Sequence, residues 1–222
     1  MYDLTLIIPA KNEKESLPKV IAELNNKYKI KVVLKENDYE TIEVIKNLNV
    51  EIIMQTGNGY GNALIEGINN VETDFCCIIN ADGSMDPKYL EEMIKSCENK
   101  DLIFASRYQK PGGGSDDDNF VTIIGNAFFT FLGNFLFKLK ISDILYTYIL
   151  GRTSSFKKLD LKNYDFRICV EIPIKAKFLK MEYSCMPSYE RKRIGGKKKV
   201  NAIKDGLLIL SEIVKYFYKS KK

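Results

Sequence analysis

A short polar segment, residues 80–84, follows an apolar run and carries residue types that bind a divalent cation. An aspartate at the end of a buried strand loses solvation and needs a partner, which a cation supplies. Mg²⁺ and Mn²⁺ prefer oxygen ligands and commonly bind a carboxylate together with substrate phosphates. We therefore expect Asp82 to bind Mg²⁺ or Mn²⁺, with Asn80 and Ser84 as further ligands. The alternative is that Asp82 is a turn residue or a helix N-cap.

A second segment, residues 57–62, combines three glycines with the start of a predicted helix. Glycine lets the backbone approach a phosphate closely, and the N-terminus of a helix favours an anion. Gly59 and Gly61 are thus candidates for binding the phosphates of a ligand. Glycine and asparagine also form ordinary turns, so the pattern by itself leaves both interpretations open.

A third segment, residues 190–199, places six basic residues around a pair of glycines. Such a segment can be a flexible clamp that neutralises phosphates during group transfer. It can also be a solvated basic loop or a nucleic-acid patch, but aromatic side chains do not interleave with it as stacking platforms would. We therefore expect no nucleic-acid partner. Residues 190–222 carry a net charge of +8, whereas the whole chain carries +5, so the positive charge is concentrated in this segment. This asymmetry indicates one anionic partner at one face.

The elements that must position these segments alternate between strand and helix in the first hundred residues. Apolar runs predict buried strands at residues 4–8, 31–34, 52–54, 75–79 and 102–105. Helices are predicted at residues 16–27, 39–48, 62–69 and 87–96. This alternation predicts an α/β fold with a mostly parallel sheet that binds ligands at the carboxyl ends of its strands.

Three further segments allow two interpretations each. The pattern of residues 120–139 predicts an apolar helix with one stripe of small and polar residues. It is long enough to span a bilayer, but its two asparagines would be costly there. A helix in the core or at a membrane interface is therefore favoured. Residues 200–218 predict an amphipathic helix that either packs on the domain or a second subunit, or anchors at a membrane interface. Residues 110–118, rich in glycine and aspartate, are either a surface loop or a mobile lid over a ligand.

Composition narrows the possible chemistry. The chain has 222 residues, enough for one sizeable core, and no histidine, which excludes any mechanism that needs an imidazole base. The five cysteines form no C-x-x-C pair and are expected to be small buried hydrophobes in a reducing compartment. Because the chain opens on a strand and not on a signal-peptide pattern, we expect a cytoplasmic protein.

Taken together and in order, these motifs resemble the family-2 glycosyltransferases of GT-A fold, especially the branch of dolichyl- and polyprenyl-phosphate sugar synthases. Residues 9–13 match the P-x-x-N-E opening, residues 59–63 the G-x-G-x-A helix start, and residues 80–82 stand at the D-x-D metal motif. Residues 106–108 match S-R-Y, and residues 187–199 resemble the R-x-x-G-x-S-K segment. The resemblance implies a GT-A domain over residues 1–186, completed by a phosphate clamp and an amphipathic C-terminal helix in residues 187–222.

The resemblance also implies roles for individual residues. The nucleotide-diphosphate sugar donor would be bound by Pro9, Ala10, Asn12, Glu13, Gly59, Gly61, Asn80, Ala81, Asp82 and Arg191. The candidate catalytic residues are Asp82, Arg107, Asp143, Arg193 and Lys199. The chain departs from the family pattern in three places: Asn80 replaces the first aspartate of D-x-D, residues 34–38 differ from the usual acidic run, and Lys198 replaces a serine.

The reaction expected from this resemblance is inverting transfer of a sugar to a polyprenyl-phosphate-type lipid at the cytoplasmic face of a membrane. A lipid phosphate is already anionic and needs no strong base, whereas a hydroxyl acceptor would need one, with Asp143 and Glu171 as candidates. The expected protein is peripheral on the inner membrane face, and a homo-oligomer is possible. The alternatives are transfer to a hydroxyl in surface-polysaccharide synthesis, a non-catalytic nucleotide-sugar-binding module, and nucleotidyl transfer, for which residues 9–13 lack the usual glycine-rich signature.

Overall fold

The chain folds into a layered α/β structure, which a computed structural model describes for residues 3–24, 26–195 and 201–221. The strands are β1 (Leu4–Pro9), β2 (Lys29–Leu34), β3 (Glu51–Met54), β4 (Phe75–Ile78), β5 (Leu102–Ser106), β6 (Gly114–Ser115), β7 (Ile149–Arg152), β8 (Tyr183–Pro187) and β9 (Tyr189–Glu190). The helices are α1 (Leu17–Glu23), α2 (Tyr39–Ile45), α3 (Tyr60–Asn69), α4 (Leu90–Ser96), α5 (Phe120–Phe137), α6 (Thr153–Lys158), α7 (Ile168–Phe178) and α8 (Ala202–Lys219).

The main sheet has seven strands in the order β3-β2-β1-β4-β7-β5-β8. All neighbours pair in parallel except β7, which runs antiparallel between β4 and β5. Strands β6 and β9 form a separate two-stranded parallel pair. The predicted α/β class with a mostly parallel sheet is confirmed, whereas strands β6 to β9, among them the reversed strand β7, were not predicted from the apolar runs.

Helices cover both faces of this sheet. Alternate residues of β1 point to opposite sides, so that Ile7 packs with α3, α5, α7 and α8, whereas Leu6 and Ile8 pack with α1, α2 and α4. Both faces of the central strands are therefore buried, which explains their nearly continuous apolar runs. Four cysteines are buried and Cys185 is partly buried, all with free thiols, in agreement with the prediction from their spacing.

The predicted helix over residues 87–96 begins as a separate turn. Pro87–Tyr89 form a 3₁₀ turn, and the α-helix starts at Leu90. Asp86 caps the turn, since its carboxylate accepts a hydrogen bond from the Lys88 amide at 3.0 Å. Helices α1 and α2 are shorter than the predicted ranges, and α6 and α7 have no counterpart among the predicted elements.

The polar stripe of α5 holds the following segment against the helix. Asn134 exchanges two hydrogen bonds with the backbone of Ile141, at 2.7 and 3.0 Å. Thr130 accepts from the Ile144 amide at 3.1 Å, and Asn126 accepts from the Leu145 amide at 3.2 Å. The stripe is therefore a packing surface within the domain, which explains why two asparagines occur in so apolar a helix.

Helix α5 is the one helix in the described part of the chain that is long and apolar enough to cross a membrane by length and composition alone. Only 22% of its residues are buried, which does not fit a central core helix. It packs on one side against α7 and α8 and leaves large apolar side chains exposed on the other side.

Candidate functional site

Two loops meet at the carboxyl edge of the sheet because β1 and β4 are adjacent parallel strands. Ile7 and Ile78 are register partners, and the Ile79 amide donates to the Ile7 carbonyl oxygen at 3.1 Å. The end of β1 and the loop after it, which carry the predicted donor-binding residues Pro9, Ala10, Asn12 and Glu13, thus lie beside the loop after β4. Whether these four residues contact a donor stays a prediction.

The loop after β1 is held in place by the start of α2. Asn12 adopts a positive φ of 54°, and its amide donates to Asp38 Oδ2 at 2.7 Å. The amide of Glu13 donates to Thr41 Oγ1 at 3.0 Å, and the Glu13 carboxylate accepts from Ser16 Oγ at 2.7 Å. Asp38 lies in the run noted as a departure from the family pattern, and only the fold reveals its contact with this loop.

Asp82 directs one carboxylate oxygen at its own loop and the other at the basic segment. Oδ1 accepts hydrogen bonds from the Ser84 amide at 3.0 Å and from Ser84 Oγ at 2.8 Å. Oδ2 lies 3.4 Å from Arg193 Nη1. The two interpretations of Asp82 are therefore compatible, since it is a turn residue and also presents a carboxylate oxygen to a cationic group.

The basic segment crosses directly over this loop. The amides of Arg191 and Ile194 donate to the carbonyl oxygens of Ser84 and Asp82, each at 2.8 Å. Gly83 has a φ of 80°, a left-handed conformation that favours glycine, and a Cβ there would lie 2.5 Å from Ile194 Cδ1. The structure thus brings Arg191 and Arg193 to the predicted metal loop. Lys199, the remaining predicted clamp residue, lies outside the described residues.

Arg191 is already paired. Its guanidinium donates to both carboxylate oxygens of Glu23, at 2.6 and 2.9 Å, and to the Gly83 carbonyl oxygen at 3.0 Å. These bonds fasten the basic segment to α1 and to the loop after β4. Arg191 therefore has a structural role at the site in addition to the donor contact expected of it, which stays a prediction.

Asn80 is oriented by an aromatic residue from α3. Its Oδ1 accepts a hydrogen bond from the Tyr60 hydroxyl at 3.3 Å, and the same hydroxyl lies 2.6 Å from Thr147 Oγ1. The Tyr60 ring stacks on Phe166 at 5.1 Å between centroids. Tyr60 lies within the glycine-containing segment 57–62 but was not predicted to be a site residue. Its partners come from distant segments, which the sequence pattern does not connect.

The oxygen atoms at this edge suit a cation that arrives with a phosphate ligand. Within residues 3–24, 26–195 and 201–221, no three His, Cys, Asp or Glu side chains are grouped to hold a metal ion on their own. Asp82 Oδ2, with Asn80 Oδ1 nearby in the same loop, fits the coordination in which the protein supplies one or two oxygens and substrate phosphates supply others. The Ser84 hydroxyl orients Asp82, and its predicted role as a ligand stays a prediction.

The glycines at the start of α3 are required by packing. A Cβ at Gly59 would lie 2.1 Å from the Tyr164 carbonyl oxygen, and one at Gly61 would lie 2.2 Å from the Asn163 carbonyl oxygen. The Tyr164 carbonyl also accepts from the Asn62 amide at 3.0 Å. The segment 163–165 therefore occupies the position at the helix start where the sequence suggested a phosphate, and this close contact accounts for both glycines.

The structure corrects the roles predicted for Arg107 and Asp143. The Arg107 guanidinium makes two hydrogen bonds to Asp143, at 2.7 and 3.0 Å, and further contacts to Asp118 at 3.3 Å and Glu190 at 3.2 Å. The Asp143 side chain is fully buried. In this structure three carboxylates engage the Arg107 guanidinium, and the fully buried Asp143 carboxylate held by that arginine is not placed to act as a general base. The pair instead fixes the segment after β5 to the segment after α5.

Glu171, the other candidate base, is corrected for a similar reason. It is fully buried and accepts from the Lys162 and Asn163 amides at 2.9 and 2.8 Å, and it pairs with Lys175 at 2.7 Å. Burial alone would raise the pKa of Glu171, but these hydrogen bonds and the lysine hold it below its usual value. It holds the segment that packs against the start of α3.

The loop over residues 110–118 is tied to the strand and the basic segment that follow β8. Residues Gly114–Ser115 pair with Tyr189–Glu190, and the three aspartates that follow contact Tyr189, Arg193, Arg107 and Tyr108. Sequence reasoning missed Asp117 as a site residue, because nothing in the sequence shows that this loop reaches the basic segment 76 positions later.

Comparison with known proteins agrees with this geometry. Residues 5–160 match the sequence model of glycosyl transferase family 2. An uncharacterised glycosyltransferase of Mycobacterium tuberculosis is 32% identical over 99 residues, which is 43% of this chain and 45% of the relative. The dolichol-phosphate mannosyltransferase of Pyrococcus furiosus is 26% identical over 190 residues, 80% of this chain and 54% of that protein. The chain therefore spans about half the length of the curated relatives it matches.

Solved structures show the same architecture. The glucosyl-3-phosphoglycerate synthase of Mycobacterium tuberculosis, in complex with Mn²⁺, uridine diphosphate and glucosyl-3-phosphoglycerate, superposes with a TM-score of 0.72 at 11% identity, covering 97% of this chain and 80% of that one. A complex of that enzyme with Mg²⁺ and uridine diphosphate gives 0.69. At such low identity the likeness establishes the fold, whereas the match over residues 5–160 establishes the family. The chain belongs to glycosyl transferase family 2.

Proposed function

We propose that this protein transfers a sugar from a nucleotide-diphosphate sugar to a polyprenyl-phosphate-type lipid, with inversion at the anomeric carbon, at the cytoplasmic face of a membrane. The observation that carries the proposal is the crossing of the basic segment over the loop of Asp82. It places two guanidinium groups and one carboxylate at the carboxyl edge of the sheet, where α/β folds bind their ligands.

The donor diphosphate would lie against Arg193, with Asp82 on its other side. Arg193 Nη1 is already within 3.4 Å of Asp82 Oδ2, so both groups reach the same small volume. Guanidinium groups bind phosphate oxygens through paired hydrogen bonds, which suits Arg193 to the leaving diphosphate. Asn80 and Tyr60 line the same edge and would orient the nucleotide.

A divalent cation fits this edge through Asp82 and Asn80. The similar structures of glucosyl-3-phosphoglycerate synthase contain Mn²⁺ or Mg²⁺ together with uridine diphosphate, which supports the same requirement here. When bound, the cation offsets negative charge on the departing diphosphate. Ser84 keeps Asp82 in position by hydrogen bonds to Oδ1, so that Oδ2 stays directed at the ligand side.

The nature of the acceptor is inferred from the absence of a suitable base among the predicted candidates. Asp143 and Glu171 are both buried and bonded, and the chain has no histidine. A phosphate oxygen is anionic near neutral pH and can attack the anomeric carbon as the bond to the nucleoside diphosphate breaks. The 26% identity to a dolichol-phosphate mannosyltransferase over 80% of the chain supports an acceptor of this class.

A membrane surface would present such an acceptor to α5 and α8, which pack together and expose apolar side chains. On α5 the exposed residues include Phe120, Ile124, Phe131 and Phe135, and on α8 they include Ile203 and Leu207. Lys138 and Lys140 follow α5, and Lys215 and Lys219 lie near the C-terminal end of α8. An apolar face bordered by basic residues suits the interface of an anionic leaflet.

The test is a transfer assay with purified protein, Mn²⁺ and a panel of uridine, guanosine, cytidine and thymidine diphosphate sugars. Each donor is offered a polyprenyl phosphate in vesicles, 3-phosphoglyceric acid, or an oligosaccharide hydroxyl. We expect release of nucleoside diphosphate and formation of a sugar lipid with the polyprenyl phosphate. Transfer to phosphoglyceric acid or to the hydroxyl instead would refute the lipid acceptor, and absence of any transfer or donor binding would refute the catalytic proposal.

A further inference from the structure

The acidic loop that follows β6 contacts the residue proposed to bind the donor diphosphate. Asp117 accepts two hydrogen bonds from the Arg193 guanidinium, at 3.1 and 2.7 Å. Asp82 contacts the same guanidinium from another side at 3.4 Å. One cationic group is thus shared between two carboxylates, one on the predicted metal loop and one on the acidic loop.

These contacts are partly shielded from solvent. The Asp117 and Asp82 side chains are each 12% exposed, and that of Arg193 is 22% exposed. Hydrogen bonding to Asp117, with further contributions from Asp82 and Glu13, raises the pKa of Arg193 above its usual value. Asp117 is also fixed from its own loop, because its amide donates to Ser115 Oγ at 3.1 Å.

The carboxylates around Arg193 decide which ligand this group accepts. Asp82 and Asp117 both face the guanidinium to which the diphosphate is proposed to bind. A bare diphosphate would compete with Asp117 for Arg193 and would meet two negative charges. A diphosphate that carries a divalent cation meets the same carboxylates favourably, because Asp82 can approach the cation while Arg193 turns to the phosphate.

We propose that Asp117 is a specificity-determining residue, which holds Arg193 in the absence of ligand and makes the site select a cation-bound nucleoside diphosphate over a free one. This inference rests on the proposed function. Donor binding would replace the ion pair between Asp117 and Arg193 by one between Arg193 and the diphosphate. Asp117 would thus set both the affinity for the donor and its dependence on the metal.

The test is equilibrium binding of uridine and guanosine diphosphate, by titration calorimetry, to the wild type and to Asp117→Asn, with Mn²⁺ and with EDTA. We expect the affinity of Asp117→Asn for the metal-free nucleotide to rise about fivefold, which corresponds to the loss of a partly exposed ion pair. The ratio between the affinities with and without Mn²⁺ should fall accordingly.

Asp116→Asn is the matched control, since it removes the same charge from the same loop but its carboxylate contacts Tyr189. Its affinities should stay within twofold of the wild type.

A double variant separates the specific contact from a general change of charge. In an Arg193→Ala background, Asp117→Asn should change the affinity for the metal-free nucleotide no more than Asp116→Asn does, because the partner that Asp117 competes for is absent and only its general charge remains. Equal effects of Asp116→Asn and Asp117→Asn, or an unchanged affinity in Asp117→Asn, would overturn the inference. Weaker binding in Asp117→Asn would overturn it too and would make Asp117 a ligand of the metal complex. If the wild type binds no nucleotide, the proposed function fails together with this inference.

Discussion

Arg107 illustrates how single residues define this structure. Three carboxylates surround its guanidinium, and the Tyr146 ring lies 4.6 Å from it. Asp143 supplies the most buried and most direct of these contacts, with two short hydrogen bonds. The third carboxylate, Glu190, adds negative charge beyond what one guanidinium compensates. Burial raises the pKa of Glu190, and the arginine only partly opposes this.

The two acids are therefore expected to differ in their effect on stability. Asp143→Asn should lower the free energy of unfolding by about 3 kcal/mol, as found when one partner of a buried pair is removed. Glu190→Gln should raise it at pH 7, because it removes a buried charge that the folded state disfavours. Urea unfolding of both variants, followed by circular dichroism, measures the difference.

The effect of Glu190 should also depend on pH. Below its ordinary pKa of 4.5 the glutamate is protonated in both states and contributes nothing. As the pH rises through that value the unfolded state ionises first, so the wild type loses stability until the raised pKa of the folded state is passed. The advantage of Glu190→Gln should thus appear only above pH 4.5. An advantage that is equal at pH 4 and pH 7 would contradict this account.

At the scale of elements, the start of α3 depends on a segment that comes a hundred residues later. The carbonyl oxygens of residues 163–165 lie so close to Gly59 and Gly61 that no side chain fits between them. That segment is itself held by Glu171 from α7, and Asn163 donates to Glu212 of α8 at 3.2 Å. Helices α7 and α8 therefore help to place α3 and the Tyr60 side chain that contacts Asn80.

Two glycine substitutions test this packing. Gly61→Ala should lower the free energy of unfolding by about 2 kcal/mol, because its Cβ would meet the Asn163 carbonyl at 2.2 Å. Gly125→Ala is the control, since no atom lies within 4 Å of a Cβ there and alanine favours a helix by about 0.5–1 kcal/mol. Thermal unfolding of both variants gives the comparison. Similar melting temperatures for the two would mean that segment 163–165 moves aside easily.

Much of this architecture could be predicted from the sequence, and the reasons for the failures are physical. Strands β1, β4 and β5 are buried on both faces and leave continuous apolar runs, so residues 4–8 and 102–105 were predicted nearly within their true bounds. The position of Asp82 in the loop after β4 follows from the same rule. Strand β7 pairs antiparallel between two distant strands, and nothing local in Ile149–Arg152 specifies that.

The candidate site was predicted less completely than the fold. Its loops were identified by residue type, but the partners of Arg107, Arg191 and Arg193 come from remote segments that a pattern does not connect. Arg107 was expected to be a catalytic residue because residues 106–108 resemble the S-R-Y motif of the family, whereas the fold surrounds it with carboxylates. Ion pairs between arginines and carboxylates that are far apart in the sequence therefore decide which basic side chains are available to a ligand.

At the scale of the whole molecule, the proposed contact with a membrane rests on the exposed apolar face of α5 and α8. Phe131 and Phe135 are 66% and 70% exposed and stack on each other. Their replacement by serine should reduce binding to vesicles of anionic phospholipid at least tenfold, since burial of one phenylalanine contributes about 1.5–3 kcal/mol. Co-sedimentation with vesicles measures the effect.

The control for this surface is Tyr39→Ser. Tyr39 is 72% exposed on α2, which packs against α1. The variant should bind vesicles as the wild type does. Equal binding by the wild type and the variant with both phenylalanines replaced would contradict the membrane proposal and leave the apolar face to another partner.

The central claim is that Asp82 and Arg193 together bind the diphosphate of the donor with a divalent cation. Its most direct test is the affinity of Asp82→Asn for uridine and guanosine diphosphate with and without Mn²⁺, beside Asp86→Asn, which removes the carboxylate four residues later that caps the turn before α4. We predict that Asp82→Asn loses the increase in affinity that Mn²⁺ gives the wild type, whereas Asp86→Asn retains it. An equal increase in all three proteins would contradict the account.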